Sequence, residues 1–235
     1  MKKTLAVLLL IVLTLTLVGC GKSTEESTKI LVQGNIDSIY LGKATSEYLK
    51  MVDATQERVD ADYIDGMNKE AEFFCTYFNI VDPEYGETYE TLSDDIKNSI
   101  VEMYKEIYSK ASYTVGEPVK NGEGFDVLVT INPIDIIEKA FNKLEEGYEP
   151  YEEFAEKYQS IDLDAMSEDE ILSTLDQYTS DYSNLLIDLV NGLIPEIGYK
   201  DAKEVTVHVE KNENDRYHIN QDDWTVIDDY MIYYP

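Results

Sequence analysis

Positive charge is scarce in this chain of 235 residues: 19 Lys and Arg stand against 48 Asp and Glu, with two His, for a formal net charge of −29. Such a surface repels nucleic acid and anionic lipid headgroups, since both are bound through clustered Lys and Arg, so DNA and RNA are excluded as partners. Cysteine is nearly absent, with only Cys20 and Cys75. A disulfide framework is therefore excluded, and the core must hold by packing. Catalytic signatures are missing too: there is no Gly-x-Ser-x-Gly, no Ser-x-x-Lys with its partner motifs, and no Cys-His pairing in sequence context. The glycines at 122 and 124 lead into no helix, which excludes a phosphate-binding loop of the usual kind. Aromatic residues are not scarce. The 19 Tyr, 6 Phe and single Trp separate this chain from disordered acidic segments, which lack them, and predict a folded domain.

The chain has one long apolar run, and it is short of a full span. Lys2 and Lys3 precede apolar and small residues from Leu5 to Val18, ending in Leu17-Val18-Gly19-Cys20. A spanning helix needs about 20 apolar residues, whereas a basic start, a shorter apolar core and small residues make a removable secretory leader. The ending resembles a bacterial lipoprotein lipobox. That resemblance implies that residues 1–19 are a lipoprotein signal peptide and that Cys20 opens the mature chain with a diacylglycerol on its sulfur. Without Lys2 and Lys3 the mature chain carries 17 basic and 48 acidic residues, a net −31. Protein charge then repels an anionic bilayer, and the lipid alone holds the chain at the extracytoplasmic face of the membrane. The run from Gly21 to Thr28 is small and polar, and residues 20–34 read as the lipidated Cys and a flexible tether.

A single α+β domain is expected over 35–235. Apolar residues spaced by four from Ile36 to Val52 predict a helix, weakened at Gly42. A second helix starts near Asp53–Gln56 and buries Val59, Met67, Ala71 and Phe74, with Asp82-Pro83 near its end. A third starts at Ser93 and buries Ile96, Ile100, Tyr104 and Ile107. The period then drops to two: Tyr113 and Val115, a turn at 120–124, then Phe125, Val127, Val129 and Ile131 make a β-hairpin with one apolar face. A helical insert at about 134–195 follows. Its clearest feature is the capping box Ser167–Glu170, opening a long helix that buries Leu172, Leu175, Tyr178, Tyr182, Leu185, Leu186 and Leu189. Val205, Val207 and Val209 with Tyr217 and Ile219 make a second hairpin, in which odd positions must pair with odd. A short helix from Asn220 closes the chain.

Helices packed on one face of a four-stranded antiparallel sheet, made of two hairpins separated by a helical insert, is the fold class this order implies. With the lipobox, and with the strings Ile-Tyr-Leu-Gly-Lys at 39–43, Glu-Met-Tyr-Lys-Glu-Ile-Tyr at 102–108 and Ile-Asp-Asp-Tyr-Met-Ile-Tyr-Tyr-Pro at 227–235, the chain resembles the uncharacterised secreted lipoproteins of low-GC Gram-positive bacteria. Their domain resembles the cystatin-like or nuclear-transport-factor-2-like superfold. The resemblance implies no catalytic residues and no cofactor.

Several residues are nonetheless candidates. Tyr104, Tyr108, Tyr113, Tyr178, Tyr182 and Tyr217 have apolar bodies and polar tips suited to lining a ligand cleft, or to filling a core with a wet rim. His208 and His218 point away from the valine face on neighbouring strands and are weak metal candidates, with Glu210 or Asn220 as a third ligand. The run from Asp60 to Gly66 departs from the calcium-loop spacing and reads as a helix surface; Asp162, Asp164, Glu168, Asp169 and the loop 212–215 are weak calcium candidates. Cys75, beside a buried stripe, reads as a small inert hydrophobe. The functional expectation is a non-enzymatic envelope lipoprotein that binds a small ligand or an envelope protein. The alternatives are a pocket enzyme using a carboxylate or His inside the cone of the fold, and a calcium-responsive envelope protein.

Overall fold

A computed structural model describes residues 24–81, 88–212 and 216–235, together with the backbone of 15–16. Cys20, Asp82-Pro83 and 213–215 lie outside the described residues. Among the described residues, no helix is long and apolar enough to cross a membrane.

Helix α1 (Thr24–Leu41) corrects the expected tether, because residues 24–34 are helical and Leu31 and Val32 have no exposed surface. Composition is misleading here because the helix buries polar residues that satisfy themselves. Thr28 Oγ1 donates to Thr24 O at 2.9 Å, Asn35 Nδ2 to Leu31 O at 2.7 Å and Ser38 Oγ to Asn35 O at 2.9 Å. Such bonds within the helix let small polar side chains enter a core without an unpaired group.

The single helix expected over 36–52 is two. Gly42, at a φ of +62°, follows the end of α1, and Thr45 caps α2 (Ser46–Val52) by accepting from Tyr48 N–H at 3.1 Å. The chain folds back at this break, so the buried Tyr48 ring lies directly over Gly34. Asp53 ends α2 in the left-handed region, and Thr55 rather than Asp53 caps α3 (Gln56–Tyr77). α4 (Asp94–Tyr108) starts where expected: Ser93 Oγ accepts from Ile96 N–H, and Asp94 and Asp95 occupy the positive first turn.

The strands are β1 (Leu15–Thr16), β2 (Ser112–Val115), β3 (Val119–Asn121), β4 (Gly124–Asn132), β5 (Lys203–Lys211) and β6 (Arg216–Ile219). They form one antiparallel sheet in the order β1-β6-β5-β4-β2, with β3 also paired to β4; β1 falls within residues 1–19, so without that leader the order is β6-β5-β4-β2. Gly122, at a φ of +58°, turns β3 into β4 where a tight hairpin requires a positive φ. Phe125 pairs with Val209, Val127 with Val207, Val129 with Val205, and Val209 with Ile219, so odd meets odd throughout. This register puts every one of those side chains on one buried face, against α1 and α8 (Gln221–Met231).

Where β6 has ended, α8 covers the edge of β5. Asn220 N–H donates to His208 O at 2.9 Å, and the Asp223 carboxylate accepts from His208 N–H at 2.7 Å. The helix thereby satisfies an edge that would otherwise be open to another strand.

Between β4 and β5 run α5 (Ile136–Glu145), α6 (Glu149–Gln159) and α7 (Glu168–Leu193). Ser167 and Glu170 make the expected capping box on α7. The buried stripe expected along this helix holds only in its second half, where Leu186, Leu189 and Val190 are buried. Leu172, Leu175 and Tyr178 in the first half are exposed, because α7 has outrun the core there and runs beside α6, which has no buried residue of its own.

Candidate functional site

The most unusual chemistry lies where α1, α3, α4, α8 and the C-terminal tail meet. Glu70 on α3 and Asp228 on α8 are 2 % and 5 % exposed. Burying an ionised carboxylate is costly unless hydrogen bonds compensate, and tyrosine hydroxyls supply some here. Tyr108 donates to Glu70 Oε1 at 2.7 Å and Tyr40 to Asp228 Oδ1 at 3.1 Å, while the Tyr104 and Tyr234 hydroxyls lie 2.7 Å apart.

The rings are packed as tightly as the polar ends. Tyr40 lies 5.2 Å from Tyr108 and stacks on Trp224 at 6.3 Å, and Tyr104 is 6.2 Å from Tyr108. Burial first, and then the negative charge of Glu70 and Asp228, hold the hydroxyls of Tyr40 and Tyr108 well above the usual tyrosine pKa. They therefore stay protonated and donate at any physiological pH. Tyr104 and Tyr234 are raised in the same direction, again mainly by burial.

Of the six tyrosines singled out from sequence, only Tyr104 and Tyr108 belong to this cluster. Tyr113, on β2, donates to Asp37 of α1, and Tyr217 on β6 donates to Glu123 O at 3.3 Å. Tyr178 and Tyr182 sit on α7 against Phe154 of α6, at 5.1 and 5.4 Å between rings. The six thus divide among an interior cluster, the sheet and the α6–α7 pair, and do not line one cleft. Sequence reasoning missed Glu70, Asp228, Tyr40 and Tyr234. Glu70 lies among charged residues on a helix, and its hydrogen-bond partner is 38 positions away.

The two histidines go different ways. His208 Nδ1 lies 2.9 Å from Asp223 and Nε2 lies 4.0 Å from Asp126, and the Asp223 hydrogen bond, with the charges of Asp223, Asp126 and Glu210, raises its pKa. His218 stands opposite Glu210 on the neighbouring strand. Among the described residues, no three His, Cys, Asp or Glu side chains gather as a group able to hold a metal ion. A shallow polar groove of about 240 Å³ runs past His208, Asp126, Glu210 and Lys211 at the tips of the two hairpins.

No family model and no curated protein matches this chain. Its fold is similar to the crystal structure of YcdA from Bacillus subtilis, described there as a candidate lipoprotein, with a TM-score of 0.53 over 89% of this chain at 15% identity. The chain spans 57% of that structure's length. At that identity the likeness establishes a shared mixed α+β fold and nothing about chemistry.

Proposed function

We propose that this chain is a lipoprotein anchored at the extracytoplasmic face of the cell membrane through Cys20, and that its domain is a non-catalytic binding module for a small ligand or an envelope partner. One observation carries the anchor: the ending Leu17-Val18-Gly19-Cys20 after Lys2, Lys3 and a short apolar run. The likeness in fold to a candidate lipoprotein supports it. On this reading the domain is of the cystatin-like or nuclear-transport-factor-2-like kind. Detergent-phase partitioning and fatty-acid labelling of Cys20→Ala test the anchor. The expected result is a folded chain that enters the aqueous phase unlabelled; retention in the detergent phase after residues 1–19 are removed would overturn it.

A second reading, a pocket enzyme, is favoured by the burial of Glu70 and Asp228 among tyrosine hydroxyls. The two readings differ in what Glu70→Gln does to stability. A structural carboxylate loses a charge-assisted acceptor for Tyr108, at a cost of about 1–3 kcal/mol. A carboxylate kept for catalysis is held at the expense of stability, so its amide would leave the fold equally or more stable. Urea denaturation of Glu70→Gln and Tyr108→Phe separates them, and we expect both to be destabilised.

A further inference from the structure

We infer that the first half of α7, with α6 beside it, is a docking surface for a cationic amphipathic helix of a partner protein. This rests on the reading of the domain as a binding module and names the chemistry of what it binds. α7 has 26 residues, about 39 Å of helix, and its apolar stripe continues past the point where the core stops. Leu172, Leu175 and Tyr178, spaced by three, are 57 %, 44 % and 38 % exposed, and Tyr151 of α6 is 38 % exposed. Phe154 joins the two helices, 6.3 Å from Tyr151 and 5.1 Å from Tyr178, so the apolar surface is continuous across them.

Charge selects the occupant. From 149 to 176 there are ten acidic residues, every one exposed, and one basic residue, Lys157, which is paired to Asp181 of α7. A second copy of this chain would bring the same negative rim to the contact, and an anionic lipid surface would be repelled in the same way. A helix with leucines along one stripe and lysines beside it satisfies both features, the apolar strip on Leu172, Leu175 and Tyr178 and the positive flanks on Glu152, Glu153, Glu156, Glu168, Asp169 and Asp176. The tyrosines suit this role, since they supply contact area with few rotatable bonds.

The test uses the mature chain, residues 20–235, carrying Cys20→Ala, which keeps both lipid and the apolar leader out of the measurement. Its probe is a fluorescent Leu/Lys peptide of about 18 residues with leucines at helical spacing. Fluorescence anisotropy is compared with a scrambled peptide of the same composition and with a Leu/Glu counterpart. Expected are tighter binding of the amphipathic cationic peptide than of the scrambled one by about tenfold or more, no binding of the acidic one, and about a tenfold loss in Leu172→Ser/Leu175→Ser. Both substituted leucines are exposed, so circular dichroism should show an unchanged fold. As a second variant, Glu152→Lys/Glu153→Lys should weaken binding and flatten its salt dependence. Equal binding of the scrambled peptide, or full binding by the leucine variant, would overturn the proposal. So would a dimer in sedimentation that Leu172→Ser abolishes, which would assign the surface to a second copy, or capture by neutral phosphatidylcholine vesicles, which would assign it to lipid. None of these outcomes bears on Cys20, whose labelling and partitioning are read separately.

Discussion

Gly34→Ala adds one methyl group and should be among the more damaging small substitutions in the protein. An ideal Cβ on Gly34 would lie 2.1 Å from Tyr48 Cδ2, 2.4 Å from Cγ and 2.7 Å from Cε2. Cγ is the root of the ring rather than its flexible end, so the whole ring must leave its site or α1 and α2 must separate. Tyr48 has no exposed surface, and displacing a fully buried large side chain costs about 1.5–3 kcal/mol of burial, with imperfect repacking adding about 1–3 kcal/mol. Against this, alanine is better than glycine inside a helix by about 1 kcal/mol. The net expectation is a loss of about 1.5–5 kcal/mol, or roughly 3–20 °C in Tm at 2–4 °C per kcal/mol for a chain of this size. Urea denaturation followed by circular dichroism measures it. The same substitution made in Tyr48→Ala should be neutral or stabilising, because the clash has gone while the helix gain remains. A neutral or stabilised Gly34→Ala with Tyr48 intact would refute the packing argument and restore residue 34 to a tether, where alanine costs nothing.

Two further expectations follow from the environments of single groups. The folded pKa of His208 is raised above its ordinary 6.5, chiefly by its bond to Asp223, so the stability it contributes is complete below about pH 6.5 and is lost as pH rises through the raised value. Thermal denaturation of the native chain and of His208→Asn should therefore differ most at pH 6 and converge by pH 9; a constant difference would show that the clip between β5 and α8 does not depend on the imidazolium. Cys75 has no exposed surface, and burial pushes its thiol up to about 12. A disulfide-exchange reagent should leave it unmodified at pH 8 in the native protein and titrate it fully in denaturant; rapid native labelling would mean that α3 opens locally.

What was legible in the sequence was local. The Ser93 cap, the Ser167–Glu170 box, the short helix from Asn220 and the odd-with-odd register all depend on residues a few positions apart, or on a period of two. Two kinds of feature were not. The start of helix α1 was hidden because the small polar run from 21 to 28 resembles a linker until the bond of Thr28 to the helix's own backbone is seen. The interior cluster was hidden because its pairs span 38 positions for Tyr108 with Glu70, 130 for Tyr104 with Tyr234 and 188 for Tyr40 with Asp228. No local pattern encodes such a separation.

The long helix α7 fails in the opposite direction, and that failure is informative. Its apolar spacing from Leu172 to Leu189 implied a buried stripe, but periodicity states only that a stripe exists and never what covers it. In the second half the core covers it. In the first half, Leu172, Leu175 and Tyr178 keep the pattern of a buried face while standing in solvent amid exposed carboxylates. A chain with a net charge of −29 has ample polar residues to place there. Where local pattern and observed burial disagree on an otherwise consistent fold, the disagreement marks the position held by something other than the stability of the isolated chain. The interior cluster, by contrast, has donors matched to its carboxylates and rings matched to one another, so its burial is accounted for by the fold itself. The exposed half of α7 is a surface whose residues the fold does not explain, and a partner that covers the stripe and neutralises its rim would.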